Sequence, residues 1–322
     1  MKRWLTLRDG AWHGVRAFFK LMAIVGPVYT AVTVLRYTPV IAAFARFAAP
    51  LMRYFGLPGD AALALIIGNL INLYAGIGAI TALGLPTNQL TVLSLMLLLS
   101  HSQILETAVF FQMKAKWWLL WAIRLAVSLL VGWALGLLLV PASAAGSAAP
   151  AATDTLARLA RLPWPGVGPA LGGWAIGLWD TAWKMCLVLV AIFIGLEYAK
   201  RYGLLEKMLT GVNRLTRHIG LSRAAGLPWL GGNVFGIVFG GGLIIESTHA
   251  HKLSPRQVTL VATFLSLSHG LFEDTAIFAV MGANLFWISV PRLVLAVAVT
   301  WTLSRILREP TETAPEANSE TG

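Results

Sequence analysis

Two short polar motifs interrupt long apolar stretches of the sequence, and both contain residue types that bind ions or transfer protons. Each motif joins a Ser-His dipeptide to an acid and a threonine a few residues later: Ser100, His101, Glu106 and Thr107 in the first, and Ser268, His269, Glu273, Asp274 and Thr275 in the second. Imidazole titrates near neutral pH, which suits proton coupling. Mixed imidazole and carboxylate groups also suit Mn, Fe(II) or Zn. The motifs therefore predict a solute- or ion-binding site, with His101, Glu106, His269 and Asp274 as candidate metal ligands.

The segments that carry these motifs are typical of a polytopic helical membrane protein. Apolar residues make up 57% of the 322 residues and charged residues only 12%, whereas a soluble domain has about 25% charged residues. The net charge of +11 is placed in loops and flanks, so we predict contact with an anionic lipid surface rather than with nucleic acid. The predicted apolar segments are 17–35, 61–83, 89–112, 117–140, 174–196, 224–247, 257–283 and 285–304.

The sequence also repeats itself. Residues 85–113 align without gaps to residues 253–281, an offset of 168, and 11 of the 29 positions are identical. Arg124 and Arg292 keep this offset, and upstream an offset of 164 matches Asn69 with Asn233. Shared apolar composition would not readily match His, Asn, acid and Arg positions in order, so we predict a duplication.

The repeat predicts a specific membrane topology. The glycine-rich centres of 61–83 and 224–247 would let each segment turn inside the membrane as a re-entrant hairpin. Segments 38–55 and 203–219 mix Arg and Lys with apolar residues and predict amphipathic interfacial helices. Each half would then have three spanning helices, and an odd number inverts the second half. The alternative is eight full spans in a parallel repeat.

The basic residues predict an orientation. They concentrate in the segments that would face inward if the N-terminus is inside, as the positive-inside rule requires. We therefore predict a bacterial inner-membrane protein with both termini in the cytoplasm. The predicted divisions are a cytoplasmic flank at 1–14, a first repeat at 15–140, an Ala/Ser/Pro-rich linker at 141–173, a second repeat at 174–307 and a disordered tail at 308–322.

Helix geometry decides whether the His and acid of one motif can meet. In a continuous helix, residues five apart such as His101 and Glu106 point about 140° away from each other. A break beside the Ser-His pair would let them converge and would expose helix ends to a ligand. The alternative role of the acids is structural, because Glu106–Arg124 and Asp274–Arg292 pairs could neutralise buried charge.

These motifs resemble the nucleoside-recognition (Gate) domain family, which includes spore maturation membrane proteins, parts of concentrative nucleoside transporters and the membrane domain of ferrous-iron transporter B. The resemblance rests on Gly-Asn in each hairpin and S-H-x4-[ED]-T-A-[VI]-F in each following helix. It implies two inverted repeats around a transport path. It also implies that solute contacts Asn69, Asn233 and the polar residues of both motifs.

The resemblance predicts a secondary transporter for a small polar, nucleoside-like solute, coupled to protons or Na⁺. One alternative is a divalent-metal permease, and another is a non-transporting partner in an envelope complex; a homo-oligomer is compatible with each. The sequence has no G-x-x-x-x-G-K-[ST] loop and no H-E-x-x-H motif, and no Ser-His-Asp set can be assigned from order alone. We therefore expect no enzymatic activity.

Overall fold

The computed structural model describes residues 2–36, 39–141, 167–250 and 253–307, and within these ranges the secondary structure is helical with no strand. The first half contains α1 Lys2–Arg36, α2 Pro39–Arg53, α3 Ala61–Leu70, α4 Leu73–Leu83, α5 Thr87–Ser100, α6 Gln103–Gln112 and α7 Trp117–Leu139. The second half contains α8 Val167–Arg201, α9 Leu204–His218, α10 Gly226–Phe235, α11 Ile237–His249, α12 Pro255–Ser268, α13 Glu273–Val280 and α14 Leu285–Ile306. Each half thus has the same order of long and short helices.

The predicted class of helical membrane protein is confirmed. In the described part of the chain, five helical stretches are long and apolar enough to cross a membrane: Thr6–Leu35, Thr87–Gln112, Trp117–Leu139, Leu171–Arg201 and Leu285–Ile306. Their outward faces carry large exposed apolar side chains such as Leu137 and Trp179. Such a surface is stable in contact with lipid and not with water.

The segments predicted as hairpins are each divided into two short helices that pack against one another, α3 with α4 and α10 with α11. The chain turns at Ile71 and Asn72 in the first half and at Gly236 in the second, not at the central glycines. Asn72 ends the turn by accepting a 2.9 Å hydrogen bond from the Ala75 amide, which is the usual role of an N-cap residue.

The central glycines instead allow close helix packing. A Cβ atom on Gly76 would lie 3.0 Å from the Gly68 Cα atom, which is in the adjacent helix α3. A Cβ atom on Gly78 would lie 2.8 Å from the Val25 carbonyl oxygen of α1. Small residues serve this purpose at many helix contacts in membrane proteins.

The core of the protein is formed by α5 and α12, the two helices that end in Ser-His. Both are buried along almost their whole length and contact each other. Helix α7 packs beside α5 and α14 packs beside α12, and each also reaches the central helix of the other half. Equivalent helices of the two halves therefore meet at the centre of the protein.

The two halves are not in identical conformations. Helix α4 packs along α1 through Gly78, whereas a Cβ atom on its equivalent Gly242 in α11 would have nothing within 4 Å. Helix α11 lies instead against α6, where Gly241 faces Val109 and Met113. Helix α4 of the first half thus packs against α1, whereas the equivalent helix α11 of the second half packs against α6.

Several predicted boundaries can be compared with the helices. Helices α2 and α9 cover the segments predicted to be amphipathic. Helix α1 already begins at Lys2, inside the predicted flank, and α8 begins at Val167, inside the predicted linker. The rest of that linker, at 142–166, and the predicted tail lie outside the described residues.

Candidate functional site

The candidate site lies where the two central helices are broken. Helix α5 ends at Ser100 and α6 begins at Gln103, with Ser102 in the left-handed conformation at φ 53°. Helix α12 ends at Ser268 and α13 begins at Glu273, with the equivalent Gly270 at φ 61°. Each break is the type of discontinuity that turns helix ends toward a ligand in transporters.

Each break is held against the first short helix of its own half. The Ser102 amide donates a 2.9 Å hydrogen bond to the Gly68 carbonyl, and the Gly270 amide makes the equivalent 3.4 Å contact with Gly232. The break therefore satisfies backbone groups that the interrupted helix leaves free, which a buried segment requires.

The two histidines occupy equivalent positions with the same hydrogen bonds. Nδ1 of His101 lies 2.9 Å from the Leu97 carbonyl oxygen, and Nδ1 of His269 lies 2.7 Å from the Leu265 carbonyl oxygen. A carbonyl oxygen only accepts, so each Nδ1 carries a proton. In a neutral imidazole, the other nitrogen then has the free lone pair.

The free nitrogens point at each other across the boundary between the halves. Nε2 of His101 and Nε2 of His269 are 3.2 Å apart. Oε1 of Glu106 lies 3.3 Å from the first nitrogen and 3.4 Å from the second. All three side chains are buried, and neither oxygen of Glu106 has a well-aligned hydrogen-bond partner among the described residues. The break thus brings His101 and Glu106 together, as the sequence argument required.

Two buried arginines hold the broken helix ends. Arg124 donates from Nη2 to the His101 carbonyl at 2.5 Å, and Arg292 donates to the His269 carbonyl at 2.5 Å. Their Nε atoms point to the carbonyls two residues earlier, at 3.4 and 2.8 Å respectively. A cation at a helix C-terminus is favoured by the helix dipole, so each arginine stabilises the break.

The predicted ion pairs of these arginines differ between the halves. Arg124 Nη2 lies 3.1 Å from Glu106 Oε1, so this pair is present. The expected pair of Arg292 with Asp274 is not formed, because no carboxylate in the described ranges lies within the 4.0 Å ion-pair distance of Arg292. Asp274 is shorter than Glu106 by one methylene and packs over the bare Cα of Gly270 instead.

Asp274 nevertheless belongs to the cluster. A carboxylate oxygen of Asp274 and a nitrogen of each histidine all lie within 4.8 Å of one another. Next to it, Glu273 accepts a 3.1 Å hydrogen bond from the hydroxyl group of Tyr74. The site therefore has acidic groups from both halves around the histidine pair.

A small cavity opens onto the cluster. Its volume is about 190 Å³, below the roughly 300 Å³ at which pockets for drug-sized organic ligands begin. Short-helix ends and break residues from both halves form its walls. The predicted site residues that line it are His101, Glu106, His269, Glu273 and Asp274.

The remaining predicted residues do not line this cavity. Ser268 donates to the side-chain oxygen of Asn233 at 2.8 Å, which joins α12 to α10. Asn69 and Ser100 donate to backbone carbonyls within their own helices. The hydroxyl groups of Thr107 and Thr275 are buried without a hydrogen-bond partner in the described part of the chain.

The cavity also contains residues that the sequence reasoning did not select. Asn72, Tyr74 and Ser102 come from the first half, and Gly236 and Gly270 from the second. Tyr74 lies beside the glycines that were predicted to form a turn, so the sequence analysis did not consider it as a site residue. Asn72 could have been found as an N-cap signal before an apolar helix.

Comparisons with known proteins relate part of the chain to a described family. The family described as Gate, nucleoside recognition, matches residues 18–117. The predicted Gate resemblance is confirmed. The matched Gate region includes His101, Ser102 and Glu106 but ends before Arg124 and before the second half.

One relative covers nearly the whole chain. The uncharacterized membrane protein YvoD of Bacillus subtilis (strain 168) is 26% identical over 298 residues, which is 92% of this chain and 93% of YvoD. No solved structure matches the chain significantly. The Gate match and the description of this relative agree with a membrane protein.

Proposed function

We propose that the protein is a Gate-type secondary transporter that binds a small cation at the histidine pair between its two halves. The observation that carries the proposal is the 3.2 Å approach of His101 Nε2 to His269 Nε2 beside the Glu106 carboxylate. Ionisable groups buried inside membrane segments are costly and usually mark ion or proton pathways. Here they lie at helix breaks contributed by both halves.

The contacts between equivalent elements support a two-fold relation between the two halves. Helix α1 packs on its equivalent α8, and α5 packs on its equivalent α12. A two-fold relation produces such self-complementary contacts, and elements near the axis meet their own equivalents. With three spans proposed for each half, the second half is inverted relative to the first. In this proposal the short helix pairs are re-entrant hairpins. In this proposal both termini lie in the cytoplasm and the protein lies in a bacterial inner membrane, as the positive-inside pattern favours.

The dimensions of the site favour a cation over the nucleoside-like solute that the sequence suggested. A cavity of about 190 Å³ is small for an organic ligand, whereas an ion needs only a few converging atoms. The metal-permease and ion-coupled alternatives share this requirement. The cation is therefore either the cargo or the coupling ion of the transporter.

Ion flux in reconstituted vesicles tests the proposal. Purified protein would be placed in liposomes that contain either a pH-sensitive or a divalent-metal-sensitive dye, and an ion gradient would be applied. We expect cation-dependent flux with the native protein and its loss in the double variant His101→Ala/His269→Ala. His218→Ala, which changes an exposed histidine of α9, is the matched control.

Two results would contradict transport through this site. The first is native protein that gives no flux above empty liposomes for protons or divalent metals. The second is flux that is the same in the double variant as in the native protein, because the ion would then take another route.

A further inference from the structure

The three atoms at the centre of the site require a positively charged partner. Nε2 of each histidine has a free lone pair, because each Nδ1 donates to a carbonyl. An ionised carboxylate such as Glu106 also only accepts. Arg124 lies 3.1 Å from the carboxylate oxygen on its outer side, but this oxygen and the two imidazole lone pairs still face one another at 3.2–3.4 Å and repel unless a proton or a metal ion lies among them.

The spacing of these atoms fits a metal ion. A point equidistant from all three lies about 1.9 Å from each, as their separations of 3.2, 3.3 and 3.4 Å dictate. Metal–nitrogen and metal–oxygen bonds of about 2.0–2.2 Å in a tetrahedral site separate ligand atoms by about 3.3–3.6 Å. The three atoms therefore already stand close to one face of a coordination tetrahedron.

The surrounding charges can accommodate a divalent ion. The acids Glu106, Glu273 and Asp274 stand against the two guanidinium groups of Arg124 and Arg292. If all are ionised, the cluster carries one negative charge in excess. Arg124 binds the same oxygen of Glu106 that faces the histidines, and such an outer-shell contact holds a ligand in orientation.

We infer that His101, His269 and Glu106 bind a divalent first-row transition metal ion, with Asp274, which clusters with both histidines, as a candidate fourth ligand. Two imidazole nitrogens suit Zn, Fe, Ni or Cu, whereas Na⁺, Mg²⁺ and Ca²⁺ prefer sites made of oxygen atoms. The binding of this ion does not depend on the proposed function. Only the further step, that the ion is the cargo of the transporter, rests on the proposed function. Metal binding itself can be measured without transport.

Cobalt titration of the full-length protein in detergent tests the inference. Co²⁺ reports its coordination through its visible absorption, and Zn²⁺ added afterwards should displace it from the same site. We expect one Co²⁺ per chain. His101→Ala and His269→Ala should each weaken binding by more than about 100-fold, beyond the 10–100-fold that outer-shell changes cost. His218→Ala should bind like the native protein.

A second measurement separates ligand loss from misfolding. The thermal midpoint of the native protein should rise with added metal, because a ligand that binds only the folded state stabilises it. The folded His101→Gln variant should show a metal-free midpoint close to native and no rise. A metal-dependent rise equal to that of native protein in this variant would overturn the assignment.

The outcomes distinguish the inference from the proposed function. Absence of Co²⁺ and Zn²⁺ binding up to millimolar concentration overturns the metal site, and proton flux in liposomes would then leave the transporter proposal standing. Stoichiometric binding that the histidine variants abolish supports the metal site, even if liposomes show no flux. Binding that is unchanged in the histidine variants overturns the assignment of ligands.

Discussion

Replacing Arg292 with methionine, in comparison with the same change at Arg124, tests what the two buried arginines do. Both hold the carbonyls of a broken helix end at matching distances. Only Arg124 also forms an ion pair, with Glu106 at 3.1 Å, among the residues that the structure describes. Both variants therefore lose the helix-end contacts, and only the Arg124 variant also leaves the buried carboxylate of Glu106 without its ion pair.

The structure gives the expected magnitudes. Arg292→Met leaves two buried carbonyls with a lost donor, at about 1–3 kcal/mol each, so we expect a decrease in the free energy of unfolding of about 2–6 kcal/mol. Arg124→Met has this cost and also leaves Glu106 buried without its partner, which costs about 3–5 kcal/mol more. Replacing the acid as well, in Arg124→Met/Glu106→Gln, should restore most of that difference.

Equilibrium unfolding in mixed detergent micelles, followed by circular dichroism, would measure these differences. The comparison needs all three variants and the native protein under the same conditions. The reasoning is refuted if Arg292→Met destabilises as much as Arg124→Met. It is also refuted if Glu106→Gln fails to rescue the Arg124 variant, because the ion pair would then not account for the difference.

Four further substitutions test other parts of the structure. Gly78→Ala should lower the thermal midpoint because its Cβ would lie 2.8 Å from a backbone oxygen of α1, whereas Gly242→Ala, with nothing within 4 Å, should leave it near native. Gly270→Ala, at φ 61°, should cost about 1–2 kcal/mol in unfolding free energy and weaken Co²⁺ binding, because its Cβ meets the carboxylate of Asp274; native affinity would contradict this. Tyr74→Phe removes the hydroxyl group that donates a hydrogen bond to Glu273. It should increase Co²⁺ affinity a few-fold in the same titration, and unchanged or weaker binding would contradict this.

The periodic and repeated features of the sequence predicted much of the fold. The offset of 168 residues matched Ser100 with Ser268 and Arg124 with Arg292, and these residues occupy equivalent places in the structure. These features could be predicted from the local sequence, because a polar residue in an apolar helix needs a buried partner whichever helix it packs against. The contacts of the two arginines with the helix ends were not predicted. Helix geometry showed only that His101 and Glu106 could converge if the helix were broken between them.

Other features depended on contacts that no local pattern contains. The sequence analysis predicted the hairpin turns at the central glycines, whereas the chain turns at Asn72 and Gly236. Glycine allows both a turn and close helix packing, and only the neighbouring helix shows which of the two applies. The lack of an Arg292–Asp274 pair depends on one methylene and on the glycine beneath it. The approach of the two histidines is a long-range contact, so sequence spacing could suggest it but could not give its distance.

The meeting of equivalent residues within one chain has a consequence for how this site can vary. In a dimer of two identical subunits, any substitution at the axis would appear twice, and the site would keep the same acids on both sides. Here Leu105 lines the cavity at the position equivalent to Glu273, and Ser102 stands where the other half has Gly270. Because both halves belong to one chain, one side of the axis can change its charge and backbone while the other side is kept, so the two faces of the proposed site need not interact with a ligand in the same way.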